Sequence, residues 1–189
     1  MTQSLVTPPA GLPVTLAQVK AHLRIETDDD DDYLGELTAL AVSHVEQATG
    51  VFLLTQTWRV YLDCLPAGAM VELPVRPISQ IDVVTVYDVD GDPSVVAASD
   101  YQLDAVSEIP RLRFAAMPSP GIAMNGIEID CICGFGDTGA DVPDQLIRAI
   151  LVLCAHWYEF RGSGLDAAGA GLEPEGFAKL IAPWKKVLL

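Results

Sequence analysis

The sequence predicts an α+β protein: a helical bundle of three to four helices with a large antiparallel β insertion, a small sandwich or sheet, between the second and third helices. Three observations carry this. Apolar residues recur at helical spacing over residues 15–50 and again over 141–161, and between them, over 55–136, the period falls to two. The chain has 189 residues, enough to bury roughly 70% of the surface its unfolded form exposes, so neither a disulfide nor a metal is required to hold it together.

The first element opens on Thr15-Leu16-Ala17-Gln18, a capping box in which the Thr15 hydroxyl takes an orphan amide and Gln18 reaches back. Leu16, Val19 and Leu23 then share one short helical face. Thr27-Asp28-Asp29-Asp30 repeats the cap signal before a longer helix carrying Leu34, Leu37, Ala41, Val45 and Ala48, with Gly50 as its terminator. In Gln56–Leu65 the pattern changes: Trp58, Val60, Leu62 and Cys64 fall on one face, and Thr57, Arg59, Tyr61 and Asp63 on the other. Val71 and Leu73 continue it until Pro74 and Pro77 interrupt. Ile81–Tyr87 is β-branched and runs into Asp90-Gly91, a hairpin signal. Short strands follow at Tyr101–Leu103, Arg111–Phe114 and Ile127–Cys133.

Asp141, with Pro143 in the first turn, opens a helix running to about Arg161. Leu146, Ile147, Ile150, Leu151, Leu153, Cys154, Trp157 and Tyr158 cover more than half its circumference. Such a helix is either central to the core or turns one flank to another subunit. These elements predict a single domain over residues 1–161. Residues 162–176 read as a flexible Gly/Ala linker and 177–189 as an apolar arm bearing Phe177, Leu180, Ile181, Trp184, Val187, Leu188 and Leu189. Burial in water-free surroundings favours such residues by about 25 cal/mol per Å², so the arm must dock. A partner is the expected surface and the chain's own domain the alternative.

Charge narrows the function. Half the residues are hydrophobic and 20% charged, which excludes a disordered linker. Eleven Lys and Arg against 26 Asp and Glu leave a net charge of −15, the reverse of the clustered cations that a nucleic-acid reader needs. Attraction to an anionic membrane is disfavoured for the same reason. Residues 1–10 lack the basic and apolar regions of a signal peptide, and the most apolar run, 149–155, falls short of the ~20 residues of a membrane span. Cys64, Cys131, Cys133 and Cys154 show no Cys-x-x-Cys spacing and read as reduced, buried thiols of a cytosolic protein.

Candidate chemistry is sparse. The run Asp28, Asp29, Asp30, Asp31, Asp32 lacks the alternating ligand spacing of a calcium loop and is better explained as a helix cap that favours the dipole. Asp88-Val89-Asp90-Gly91-Asp92 has its glycine two positions too early for calcium and Ser99 where the distal Glu belongs, so it reads as a turn. His22, His44 and His156 stand on separate helices without zinc spacing. Gly134-Phe135-Gly136-Asp137 lacks the Lys and Ser/Thr of a phosphate cradle, and neither a nucleophile elbow nor a dinucleotide fingerprint is present. His156 and Glu159 lie one turn apart with no nucleophile beside them. No catalytic residue, cofactor or metal is assigned.

The same residues, in order, resemble the head–tail connector (adaptor, or head-completion) family of long-tailed bacteriophages and gene transfer agents. The resemblance begins with Leu16-x-x-Val19-Lys20-x-His22-Leu23-Arg24, the aspartates and Tyr33-Leu34. It continues through Val45-Glu46, Thr49-Gly50 and Gln56-Thr57-Trp58, then Ser99-Asp100-Tyr101-Gln102-Leu103-Asp104 and Gly134-Phe135-Gly136-Asp137. Val142-Pro143 and Ala155-His156-Trp157-Tyr158-Glu159-x-Arg161 complete it, so it spans about residues 14–161.

The resemblance implies a non-enzymatic structural protein of the virion or particle neck, assembled in the bacterial cytoplasm. It implies a homo-oligomeric ring, usually twelvefold, between the portal protein and the stopper or tail proteins. Such a ring extends the DNA channel, through which duplex DNA passes without being tightly bound. The free protein is then expected to be a monomer or weak oligomer, since its charge opposes self-association. The arm residues Phe177, Leu180, Ile181, Trp184, Lys185, Lys186 and Leu188 become candidates for binding the portal. Ile150, Leu153, Trp157, Tyr158 and Arg161 become candidates for the subunit interface, and Asp28–Asp32 for an acidic channel lining or helix cap. A cytosolic α+β enzyme or small-ligand binder, with a pocket between helices and sheet, is the alternative from another class. A capsid or tail-tube subunit is the alternative within the assembly class.

Overall fold

A computed structural model describes residues 1–160 and 173–185. The chain divides into two compact units: a β unit of Met1–Pro9 with Thr55–Phe135, and a helical unit of Ala10–Leu54 with Gly136–Leu189. The predicted α+β architecture is present, with four helices and antiparallel sheets among the described residues. The linker predicted over 162–176 lies outside the described residues except for its last four, as do Arg161 and the last four residues of the arm.

The β unit opens with β1 (Thr2–Thr7), which the sequence reading did not identify as a strand. It continues with β2 (Gln56–Leu62), β3 (Met70–Glu72), β4 (Ile78–Tyr87), β5 (Pro93–Val95), β6 (Tyr101–Asp104), β7 (Arg111–Phe114) and β8 (Ile127–Cys133). A five-stranded sheet has the order β1-β2-β8-β4-β5 and a three-stranded sheet the order β3-β7-β6, with every strand pair antiparallel.

The period of two is what sorts these strands. Val60 pairs with Ile129, Ile129 with Val84, and Ile127 with Leu62 and Val86, and all of these are buried. The alternate positions of β2 and β8 hold Arg59, Tyr61, Glu128 and Asp130 on the opposite face. In the smaller sheet Val71, Leu112 and Phe114 supply the buried face. Two register shifts in β4, between Ile78 and Gln80 and between Ile81 and Val83, mark irregularities that bend the strand. At the tip of the β4–β5 hairpin Gly91 takes φ 84°, the left-handed conformation that the Asp-Gly signal foretold. β2 stops at Leu62, so Cys64 falls in the following turn and is exposed. The expectation of four buried thiols is corrected at that position. Cys131, Cys133 and Cys154 are buried.

In the helical unit, α1 (Leu16–Leu23) begins with the predicted capping box. The Gln18 amide donates to Thr15 Oγ1 at 3.2 Å, and the Thr15 amide donates to Gln18 Oε1 at 2.8 Å. The second helix, α2 (Asp31–Thr49), ends as predicted at Gly50, with φ 70° and its amide bonded to Glu46 O. Its N-cap, Asp30, makes no side-chain capping bond, so the aspartates act on the helix's own first turn through their charge.

The third helix, α3 (Asp144–Glu159), starts three residues later than predicted. Asp141 instead closes the preceding turn, its Oδ2 accepting from the Thr138 amide at 3.0 Å. Leu146, Ala149, Ile150, Leu153 and Cys154 form its buried stripe. The matching stripe on α2 is Leu34, Leu37, Thr38, Ala41 and Val45, and Cys154 Sγ approaches Leu37 O at 3.9 Å. The fourth helix, α4 (Phe177–Ile181), runs into a 3₁₀ turn at Ala182–Trp184. A five-residue helix has too few hydrogen bonds to form alone, so tertiary docking must hold it.

Candidate assembly surface

Three of the five consecutive aspartates are tied into the helical unit. Lys20 Nζ on α1 reaches Asp28 Oδ1 at 2.5 Å and Asp31 Oδ1 at 2.7 Å. These hydrogen bonds raise the Lys20 pKa, and the one from Lys20 lowers that of Asp28. From the far end of α3, Tyr158 donates its hydroxyl to Asp30 Oδ2 at 2.5 Å. Asp29 and Asp32 point to solvent. The run therefore links α1 and α3 to the start of α2, while Asp29, Asp32 and the paired Asp28 remain exposed. Among the described residues, no group of three or more His, Cys, Asp or Glu comes together as a metal site.

The C-terminal segment is divided in its roles. Phe177 and Ile181 are 0% exposed, buried within their own helical unit. The Phe177 ring lies 5.6 Å from that of His44, whose Nε2 is 3.0 Å from Glu173 Oε1, and the Trp184 indole N–H donates to Gln145 Oε1 at 3.3 Å. Phe177 and Ile181 thus dock on the chain's own helical unit, the alternative reading, and the expectation that a partner covers them is corrected at these two positions. Leu180 and Trp184 are half-buried, and Lys185 is exposed. Lys186 and Leu188 lie outside the described residues.

The proposed subunit-interface residues also separate. Ile150 and Leu153 are 0% exposed on the stripe that faces α2, so their own unit covers them. Trp157 and Tyr158 are half-buried: the Trp157 ring meets His44 edge-on at 5.6 Å, and Tyr158 lies 6.3 Å from Tyr33. Arg161 is outside the described residues. On the same helix the His156 ring rests against Phe160 at 4.9 Å.

A charged network on the β unit was not read from the sequence. Arg59 on β2 donates from Nε to Asp130 Oδ1 at 2.7 Å and from Nη2 to Asp130 Oδ2 at 2.9 Å. Its Nη1 reaches Glu128 Oε2 at 2.8 Å, and Tyr87 on β4 donates to the same oxygen at 3.1 Å. The Asp130 bonds push the Arg59 pKa still higher, while burial first and then Glu128 raise that of Tyr87. The guanidinium joins β2 to β8, and Tyr87 of β4 enters the network through Glu128. The alternation of Arg59 and Asp130 on their strands was visible, but only the register shows that they meet.

Residues 13–88 match the family model described as phage gp6-like head-tail connector protein. A chain of the neck of an empty GTA particle, computed with C6 symmetry, is similar over 100% of this chain and 97% of its own, with 28% identity and a TM-score of 0.86. A chain of the virion of a native gene transfer agent particle matches with the same coverage, 28% identity and a TM-score of 0.83. One from the neck of a native GTA particle, computed with C12 symmetry, gives 27% and 0.80. No curated protein matches. The resemblance to head–tail connector proteins read from the sequence is borne out, and the solved relatives are structural components of particles.

Proposed function

We propose that the chain is a non-enzymatic structural adaptor that forms a ring between the portal and the stopper or tail proteins of a phage or gene-transfer particle. The observation that carries this is end-to-end likeness to neck chains, with a connector-family match over residues 13–88. Necks computed with C6 and C12 symmetry support a ring, for which twelve copies is the proposed number. The ring would extend the DNA channel. Twelve copies of a chain of net charge −15 carry on the order of −180, and such a conduit repels phosphate instead of binding it.

The portal contact falls to Leu180, Trp184 and Lys185, which the docked helix leaves at least partly exposed, and to Lys186 and Leu188, which lie outside the described residues. Phe177 and Ile181 anchor that segment from beneath. Trp157, Tyr158 and Arg161 are the remaining candidates on α3 for contact with a neighbouring copy. The free protein is a monomer or weak oligomer in the bacterial cytoplasm, and the ring closes in the particle neck. Co-sedimentation with assembled portal, together with absence of duplex DNA retardation at physiological salt, tests the reading. Failure to bind portal contradicts the adaptor role, and tight, salt-sensitive DNA binding contradicts the conduit.

A further inference from the structure

The β unit carries both a knob and a recess of complementary chemistry, and we infer that the knob of one copy seats in the recess of the next. The ring itself is taken from the adaptor function proposed above.

The knob is the tip of the β4–β5 hairpin. Asp88 Oδ1 accepts from the amides of Asp90 and Asp92, both at 2.9 Å, and the Asp88 amide bonds Asp92 O at 3.1 Å. The Gly121 amide braces the hairpin from outside by donating to Tyr87 O at 2.8 Å. Val89 stands on this fixed turn, 77% exposed, with Asp88, Asp90 and Asp92 around it and no basic residue between Ile78 and Val95. A tip already held in one conformation loses little entropy when it docks.

The recess lies on the outer face of the three-stranded sheet. Register places Met70, Arg113 and Gln102 side by side across β3, β7 and β6. A groove of about 480 Å³ is lined there by Met70, Leu103, Val106, Arg111 and Arg113, with Asp104 as its one acid. Asp104 is taken up by Arg111, whose Nε donates to it at 3.1 Å, while Arg113 is exposed and makes no ion pair among the described residues. Val106 is 98% exposed and Met70 43%. Apolar surface beside an unneutralised guanidinium suits an apolar side chain flanked by carboxylates, as Val89 is.

The occupant is a second copy. Val89 and Val106 are both exposed, so the knob does not fill the recess of its own chain. Two different patches on one unit make a heterologous contact, which repeats by rotation and closes into a ring when the angle allows. In a chain of net charge −15, one contact of opposite sign also sets the register between copies that otherwise repel.

A cysteine pair tests this. The full-length chain carrying Cys64→Ser, Val89→Cys and Val106→Cys is assembled on its portal and oxidised. The contact predicts a ladder of cross-linked multimers on a denaturing gel, absent from either single-cysteine chain. Arg113→Glu should abolish portal-bound rings, and adding Asp90→Arg to the same chain should restore them. Rings seen by electron microscopy with no ladder, and unaffected by Arg113→Glu, overturn the contact and leave the adaptor function standing. Absence of any ring with the wild-type chain overturns both.

Discussion

Arg59 grips Asp130 through two parallel hydrogen bonds of 2.7 and 2.9 Å across the β2–β8 ladder, although the residues are 71 positions apart in sequence. The Asp130 side chain is only 8% exposed and that of Glu128 14%, so the guanidinium is what makes their burial tolerable. Arg59→Ala leaves both acids without it and is expected to destabilise the protein by about 2–3 kcal/mol. Arg59→Lys recovers only part, since an ammonium cannot bond both oxygens in the same fork. Urea unfolding measures this, and a loss below about 0.5 kcal/mol would show that the clamp is immaterial.

Phe177 is the largest side chain holding α4 in place, and it is fully buried. Phe177→Ala is expected to cost about 3–4 kcal/mol, or to release the segment so that its amides exchange at the rate of an unfolded chain. Hydrogen exchange of the full-length variant reads the second outcome, and calorimetry reads the first. An unchanged melting temperature with full protection of α4 would contradict the docking.

The thiols divide sharply. Burial pushes Cys131 up to about 12 and Cys154 up to about 11, while Cys64 lies exposed. A disulfide reagent at pH 8 is expected to modify one thiol rapidly in the native protein and four after denaturation, because the thiolate is the reactive form. Two or more fast thiols in the native state would refute the burial.

Asp104 is held well below the usual carboxylate range, first by the Arg111 guanidinium and then by the Ser107 hydroxyl and amide. A depressed folded-state value means stability that is fully present above the unfolded pKa of about 3.9 and lost as pH falls through the folded one. An NMR titration should place the Asp104 midpoint below that of a reference aspartate, and Arg111→Ala should move it back up. An unperturbed midpoint in the wild type would remove the pair from the account.

Local chemistry made much of the fold legible. The Thr15–Gln18 capping box, the Gly50 terminator and the bounds of β7 and β8 depend on neighbours a few residues away, and the structure has them where the sequence placed them. β1 was missed because it is an edge strand whose residues are mostly exposed, with Leu5 at 45% and Val6 at 46%, and so lacks the alternation that marks a half-buried strand. On α3, apolar spacing does not say which of Ile150, Leu151 and Trp157 packs within its own unit; of these only Ile150 is fully buried there. The docking of Phe177 and the meeting of Arg59 with Asp130 depend on non-local packing and strand register, which no short window contains.

The central claim is that this chain adds a ring to a portal. Electron microscopy of the full-length protein mixed with its assembled portal measures this most directly. The account predicts an extra annular layer on one end of the portal, with twelvefold averages, and no such ring for the protein alone at modest salt. Portal particles indistinguishable with and without the protein, or stable large rings of the isolated chain, would contradict it.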